Sequence, residues 1–342
     1  MTLCKAQRTP KSGVTDPIMH LLILRVLLSC MGLLGNVVLI LSIIHTRVTP
    51  LKTFELFLLG LAAANLEEIL IINIYDFLQI SYVVSDAWSC RSLKFLTVFG
   101  EISSILFTVL ISIYRYQKMR GTYKRVHLGI YLDNIRVASM VSGLCVGISA
   151  VLSIPIFVIN LQGQAGNLMR NHTGCPSDFF LCSDYHCPTV NRIYKYVFLL
   201  LCNLLPLIIV TLTSSLIVAV LLSRTTTVTP IASVSGSTQT VRKRHGRRLH
   251  RSTVAILAAM SLFLVDWTLY LIFQMVFNPT DVRFWAEMEF FISTSYTSIS
   301  PYVYGIGNSL FSVKNFRRKN LYGGVLVLTP FNDGYSISVT LH

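Results

Sequence analysis

The sequence predicts an all-α membrane protein: a seven-transmembrane helix bundle with its N-terminus outside and a short amphipathic cytoplasmic helix after the seventh span. Three observations carry this prediction. The 342-residue chain is 53% hydrophobic and only 13% charged, with a mean hydropathy of +0.62, which is too apolar for an ordinary soluble protein of this size. Seven stretches reach the length of about 20 apolar residues that crosses a hydrocarbon core. The basic residues, finally, cluster in alternate loops between these stretches, as cytoplasmic loops require.

The stretches run from Ile18 to Ile44, Glu55 to Ile80, Leu93 to Tyr116, Val137 to Asn160, Ile193 to Leu222, Thr253 to Phe277 and Trp285 to Asn308. Charged or turn-forming residues bound each one, such as Thr49-Pro50 after the first and Asn278-Pro279 after the sixth. Residues 1–17 form an extracellular N-terminus, 18–309 a seven-helix domain, 310–320 a juxtamembrane cytoplasmic helix and 321–342 a cytoplasmic tail. The loops are too short for a separate soluble domain. Met1 to Pro17 is polar, with Lys5, Arg8 and Lys11, and offers no apolar run for a cleavable signal peptide, so the first span is expected to act as its own insertion signal.

With the N-terminus outside, about 19 of the 29 basic residues fall on the cytoplasmic side, accompanied only by Glu55, Asp133 and Asp333. That side carries roughly +16 and the other roughly −2, within the net +14 of the chain. The basic balance is therefore topology and not nucleic-acid binding. "RKRHGRRLHR", Arg242 to Arg251, lies directly before a span and reads as a cytoplasmic loop in preference to a nuclear signal.

Cysteine usage agrees. Cys30, Cys145 and Cys202 lie within spans, where they read as packing residues, whereas Cys4, Cys90, Cys175, Cys182 and Cys187 fall outside, where disulfides persist. That odd number leaves at least one thiol without an intramolecular partner. Asn171-His172-Thr173, in the long loop after the fourth span, is a glycosylation sequon on the outer side. Cys182, His186 and Cys187 do not have a recognised zinc-ligand spacing.

Polar residues inside the spans follow helical periodicity. Thr97, Glu101, Ser104, Thr108, Ser112 and Arg115 recur every three or four residues and form one stripe on the third helix. Asn65, Glu68, Ile72, Asp76 and Gln79 form a similar stripe on the second, with Glu67 beside it. An ionisable group facing lipid costs several kcal/mol, so both stripes are expected to face the bundle interior. With Asp266 in the sixth span and Glu287 and Glu289 opening the seventh, the outer half is rich in carboxylates. The functional reading is a ligand cavity lined by Glu101, Glu68, Asp76, Asp266, Thr97 and Ser104; the alternative is a set of hydrogen-bonded structural groups and wet rim residues.

Four motifs fall in the first, second, third and seventh spans, in order: "GNVVL" at Gly35 to Leu39, "LAAANL" at Leu61 to Leu66, "YRY" at Tyr114 to Tyr116 and "SPYVYGIGN" at Ser300 to Asn308. Together they resemble rhodopsin-type G-protein-coupled receptors. "SIYRYQKMR" at Ser112 to Arg120 with "GNSLFSVKNFRRK" at Gly307 to Lys319 is similar, more specifically, to vomeronasal type-1 receptors and their olfactory class A-like relatives, over nearly all of Ile18 to Asn320.

The resemblance implies a multi-pass plasma-membrane receptor that converts binding of a small odorant or pheromone into nucleotide exchange on a heterotrimeric G protein. It needs no cofactor, metal or nucleic acid, and its partners are that ligand, the G protein and the lipid. Arg115, flanked by Tyr114 and Tyr116, matches the arginine at the cytoplasmic end of the third helix. Pro301 and Tyr304 match the seventh-helix motif, and Asn36 the first-helix asparagine. Asn65 stands where most rhodopsin-type receptors have a sodium-binding aspartate, Tyr114 replaces the acid before the arginine, Ser300 replaces an asparagine, and no proline follows Trp267. These departures weaken any expectation of sodium regulation or an acid–arginine lock and favour the vomeronasal type. The resemblance also implies a Cys90–Cys187 disulfide, with Cys182 as the alternative partner.

Other classes fit less well. Bitter-taste receptors, a related seven-helix family, match the third- and seventh-span motifs poorly. A transporter would be expected to carry internal repeats and interrupted helices. No phosphate loop or nucleophile elbow points to an enzyme.

Overall fold

The computed structural model describes residues 15–45, 51–80, 87–124, 131–158, 189–226, 238–276 and 285–308. Among the described residues all regular structure is helical. The helices are α1 (Thr15–His45), α2 (Thr53–Ile80), α3 (Ala87–Lys124), α4 (Ile135–Ser153), α5 (Thr189–Thr226), α6 (Thr238–Val276) and α7 (Trp285–Gly307). The 310–320 helix, Asn171, Cys4, Cys175, Cys182 and Cys187 lie outside the described residues, as does the side chain of Asp76 on α2.

Local chemistry explains several boundaries. At the start of α2, Glu55 accepts the Lys52 amide at 3.2 Å, the carboxylate half of a capping box. Asn134 caps α4 by accepting the Arg136 amide at 3.0 Å, just after a 3₁₀ turn at Tyr131–Asp133. α4 tightens into a 3₁₀ turn at Ile154–Phe157 because Pro155 has no N–H to continue the ladder. α5 is α-helical over Thr189–Phe198, π-helical over Leu199–Leu204 and α-helical again over Leu205–Thr226. Pro206, whose ring would clash with the carbonyl four residues earlier, accounts for that wide turn.

Among the described residues six helices contain stretches long and apolar enough to cross a membrane, and α7 does not. Its 23 residues give about 35 Å, enough to span, but Thr294, Thr297, Ser298 and Ser300 depress its hydropathy. All four are buried, so they face the bundle and not lipid. α3 runs to Lys124 and α6 begins at Thr238, well past the apolar limits Tyr116 and Thr253. Charged residues that are good helix formers continue a helix beyond the hydrocarbon, where hydropathy no longer marks it.

α3 is the central rod and packs on α2, α4, α5 and α6, while α1 closes the ring between α2 and α7. Of the apolar stretch in α3, 72% is buried in the bundle, against 22% for α4 and for α5. The latter two present Met140, Leu144, Leu212 and Leu216 outward, as lipid-facing helices do. Helix association in a bilayer depends on close packing and interhelical hydrogen bonds, because lipid tails are as apolar as leucine. Gly32 and Gly35 let α1 lie directly against Ser298 and Tyr302 of α7. Tyr302 then donates to the Met31 carbonyl at 2.8 Å.

Candidate functional site

The polar stripe of α3 faces inward. Glu101, Ser104, Thr108, Ser112 and Arg115 are buried and Thr97 is half-buried. Around this rod the polar groups form three layers.

The layer nearest Cys90 is acidic. Glu101 is 9% exposed, and one of its carboxylate oxygens has no hydrogen-bond partner. Glu68 of α2, Lys94 one further stretch up α3, and Tyr194 and Cys202 of α5 lie within electrostatic range of it. Glu67 folds its carboxylate against Gly100, where any Cβ would collide with it, and neither of its oxygens is hydrogen-bonded. In the π-helical turn of α5, Asn203 is 1% exposed with both amide atoms unbonded. Asp266 is braced separately: Ser295 donates to it at 2.6 Å, joining α6 to α7, and neighbouring Trp267 packs at 6.0 Å from Phe263 and 5.3 Å from Tyr270. Thr97 donates to the Leu93 carbonyl of its own helix at 3.0 Å.

One turn further along is a neutral, cross-linked layer. Ser104 donates to Asn65 Oδ1 at 2.6 Å, and Asn65 Nδ2 reaches both Asn36 Oδ1 and Ser300 Oγ at 3.3 Å. Asn36 Nδ2 donates to the Thr297 carbonyl at 3.0 Å. Four helices, α1, α2, α3 and α7, are tied by these amides and hydroxyls. Ser104 thus bonds Asn65, below the acidic layer. Thr108 and Tyr296 share a 2.7 Å hydrogen bond just beneath.

At the far end of α3, Arg115 is buried with its guanidinium 3.8 Å from the centre of the Phe54 ring and Nη2 3.2 Å from Asn308 Oδ1. Tyr114, in the place of the usual acid, donates to Asp133 at 2.9 Å and accepts from Lys118 at 2.9 Å. Tyr304 stands between Tyr296 and Arg115, and Pro301 sits inside α7 one turn before it. Tyr116, half-buried, packs against the apolar core.

Phe54, Asp133, Asn203 and Asn308 belong to these layers although sequence reasoning did not single them out. Asn308 closes the quoted seventh-span motif and Asn203 is a lone amide in an apolar run three residues before Pro206, so both left a trace in the sequence. Phe54 looks like any apolar residue of α2 until Arg115 is found above its ring.

Comparison with known families gives a match to the 7 transmembrane receptor (rhodopsin family) model over residues 35–304. No curated protein matches the chain. The matched segment runs from the glycine that seats α1 on α7 to the tyrosine beside Arg115 and covers most of the chain. A central α3 with buried polar groups at both ends, ringed by membrane-crossing helices and matched to that family from its first helix to its last, makes this protein a member of the rhodopsin family of seven-transmembrane receptors.

Proposed function

We propose that this receptor is chemosensory, of the vomeronasal type-1 or olfactory class A-like kind. A small odorant or pheromone binds in the half of the bundle that holds Glu101, and the ligand-bound receptor activates a heterotrimeric G protein at the Arg115 end. The observation that carries this reading is the single helix α3, which holds an under-bonded carboxylate and a buried arginine 14 residues apart, about 21 Å. Glu101, Glu68 and Asp76 line the ligand cavity together with Thr97, and Asp266 belongs to its α6 side. Ser104, with Asn65 and Asn36, supports the floor.

The receptor sits in the plasma membrane with its N-terminus outside, in keeping with the basic Arg115 end. Cys90 is disulfide-bonded, and we take Cys187 as its partner, with Cys182 as the alternative. That bridge pins the outer loop, which carries a glycan at Asn171. A ligand shifts the bundle only through its difference in affinity for the two states, about 1.4 kcal/mol for each tenfold change.

The test is a small-molecule screen on the expressed receptor, read as ligand-dependent signalling in cells with and without G proteins. Signalling that requires a G protein supports the reading, and substrate flux that persists without one would point to a transporter. Arg115→Ala is expected to lower maximal signalling at least about tenfold while surface expression and ligand binding hold. Normal coupling in that variant would reduce Arg115 to a snorkelling interfacial residue.

A further inference from the structure

Arg115 carries a full charge into a buried position, yet among the described residues the carboxylates at its end of the bundle, Asp133 and Glu55, are engaged elsewhere. Asp133 accepts the Tyr114 hydroxyl and pairs with Lys118 at 3.5 Å, and the Thr53 hydroxyl fastens its carbonyl to α2. Glu55 accepts the Lys52 amide. What holds the guanidinium is neutral: the Phe54 ring on α2 and the amide oxygen of Asn308 at the end of α7. A cation seated on a ring face gains from the ring quadrupole, the more so when it is desolvated, but gains less than from a paired carboxylate.

Asn308 is itself a junction. Its Oδ1 also accepts the Ser252 hydroxyl of α6 at 2.7 Å, and its Nδ2 donates to the Tyr304 carbonyl at 2.8 Å. One residue earlier, Gly307 lies so close to Ala255 that a Cβ there would collide with it. Arg251 reaches the Ile306 carbonyl at 3.4 Å. A single amide oxygen therefore joins α3 and α6 to the end of α7.

We propose that Phe54 and Asn308 are positioning residues that form a charge-neutral latch, holding Arg115 against α2 and α7 and keeping the ends of α3, α6 and α7 together until ligand binding releases it. The latch rests on the reading that this end is the G-protein face. Because its partners are neutral, it is weaker than an ionic lock, and the receptor carries ligand-independent activity that one added carboxylate suppresses.

The experiment places spin labels at the exposed positions Arg120→Cys on α3 and Val254→Cys on α6, with the exposed Cys30 replaced by alanine, in purified full-length receptor without ligand, and subtracts as background the same receptor labelled without the two introduced cysteines, which carries any label on the unpaired outer thiol. Pulsed distance measurements give the fraction with separated helix ends, and basal signalling in cells gives its consequence. Asn308→Ala and Phe54→Leu should each raise the separated fraction and basal signalling about three- to tenfold. Phe54→Tyr, which keeps the ring, should match the parent, and Asn308→Asp, which sets a carboxylate against Arg115, should fall below it. A purely structural role for these residues would not give opposite signs for the two Asn308 variants. Unchanged distances in both Asn308→Ala and Phe54→Leu, or separation in Asn308→Asp, would overturn the latch. Distances that respond while no G protein is activated by any variant would instead count against the coupling reading and leave the latch standing.

Discussion

Two layers one helical turn apart on the same pair of helices behave in opposite ways. Asn65 and Ser104 occupy α2 and α3 as Glu68 and Glu101 do, three residues removed on each helix. The amide of Asn65 carries both donors and an acceptor, so it bonds Ser104, Asn36 and Ser300 at once and draws four helices together. A carboxyl group carries at most one donor, and Glu68 has two other acids, Glu67 and Glu101, within electrostatic range where Asn65 has an amide and two hydroxyls. One oxygen of Glu101 and both of Glu67 are left without partners. The same register thus builds a structural joint from amides and hydroxyls and, one turn away, a cluster of acids with unbonded oxygens. A difference of one functional group type, and not of backbone, separates the layer that ties the helices together from the layer we propose for recognition.

This contrast can be broken most forcefully at its structural side. Asn65→Ala removes three hydrogen bonds between buried side chains, at roughly 1 kcal/mol each, and is expected to destabilise the receptor by about 3 kcal/mol. Thermal unfolding of purified receptor in lipid discs, compared with the parent, measures this; an unchanged melting temperature would remove the joint. On the recognition side, Glu101→Gln keeps the shape and removes the charge. A ligand held by charge pairing should lose about 1 to 3 kcal/mol, roughly five- to 150-fold in potency, while thermal stability does not fall. A neutral ligand should lose less, and unchanged potency in both Glu101→Gln and Glu101→Ala would make Glu101 structural. Ser104→Ala sharpens the boundary between the layers. Its bond to Asn65 predicts a loss of about 1 kcal/mol in stability with agonist potency within roughly threefold of the parent. A large potency loss at full stability would move Ser104 back into the ligand set.

The chain carries its architecture openly. Apolar length, the alternation of basic loops and the three-and-four spacing of polar residues within spans are one-dimensional quantities, and the bilayer converts them directly into helix number and inward faces. The α3 stripe from Glu101 to Arg115 was legible for that reason, because a helix turns every residue of known spacing to a known side. Helix ends were less so. The π-helical turn before Pro206 and the extension of α6 back to Thr238 lie in composition that hydropathy does not separate.

Only the tertiary structure decided which polar groups are already satisfied. Periodicity puts Ser104 and Glu101 on the same inward face, but a hydrogen bond is a matter of ångströms between residues far apart in the chain. Asn65, 39 residues away, takes the Ser104 hydroxyl. Asp266 likewise is braced by Ser295 across the α6–α7 contact, so an acid in a span need not be one that awaits a ligand. Arg115 could be picked out from its motif, yet its partners could not, since an aromatic ring and an amide on two other helices look like packing and turn residues until the bundle brings them within 4 Å. Composition and spacing set which helices form and which way they face, because the bilayer acts on each segment by itself; pairing depends on how the helices cross, and that is settled by close contacts between residues distant in sequence.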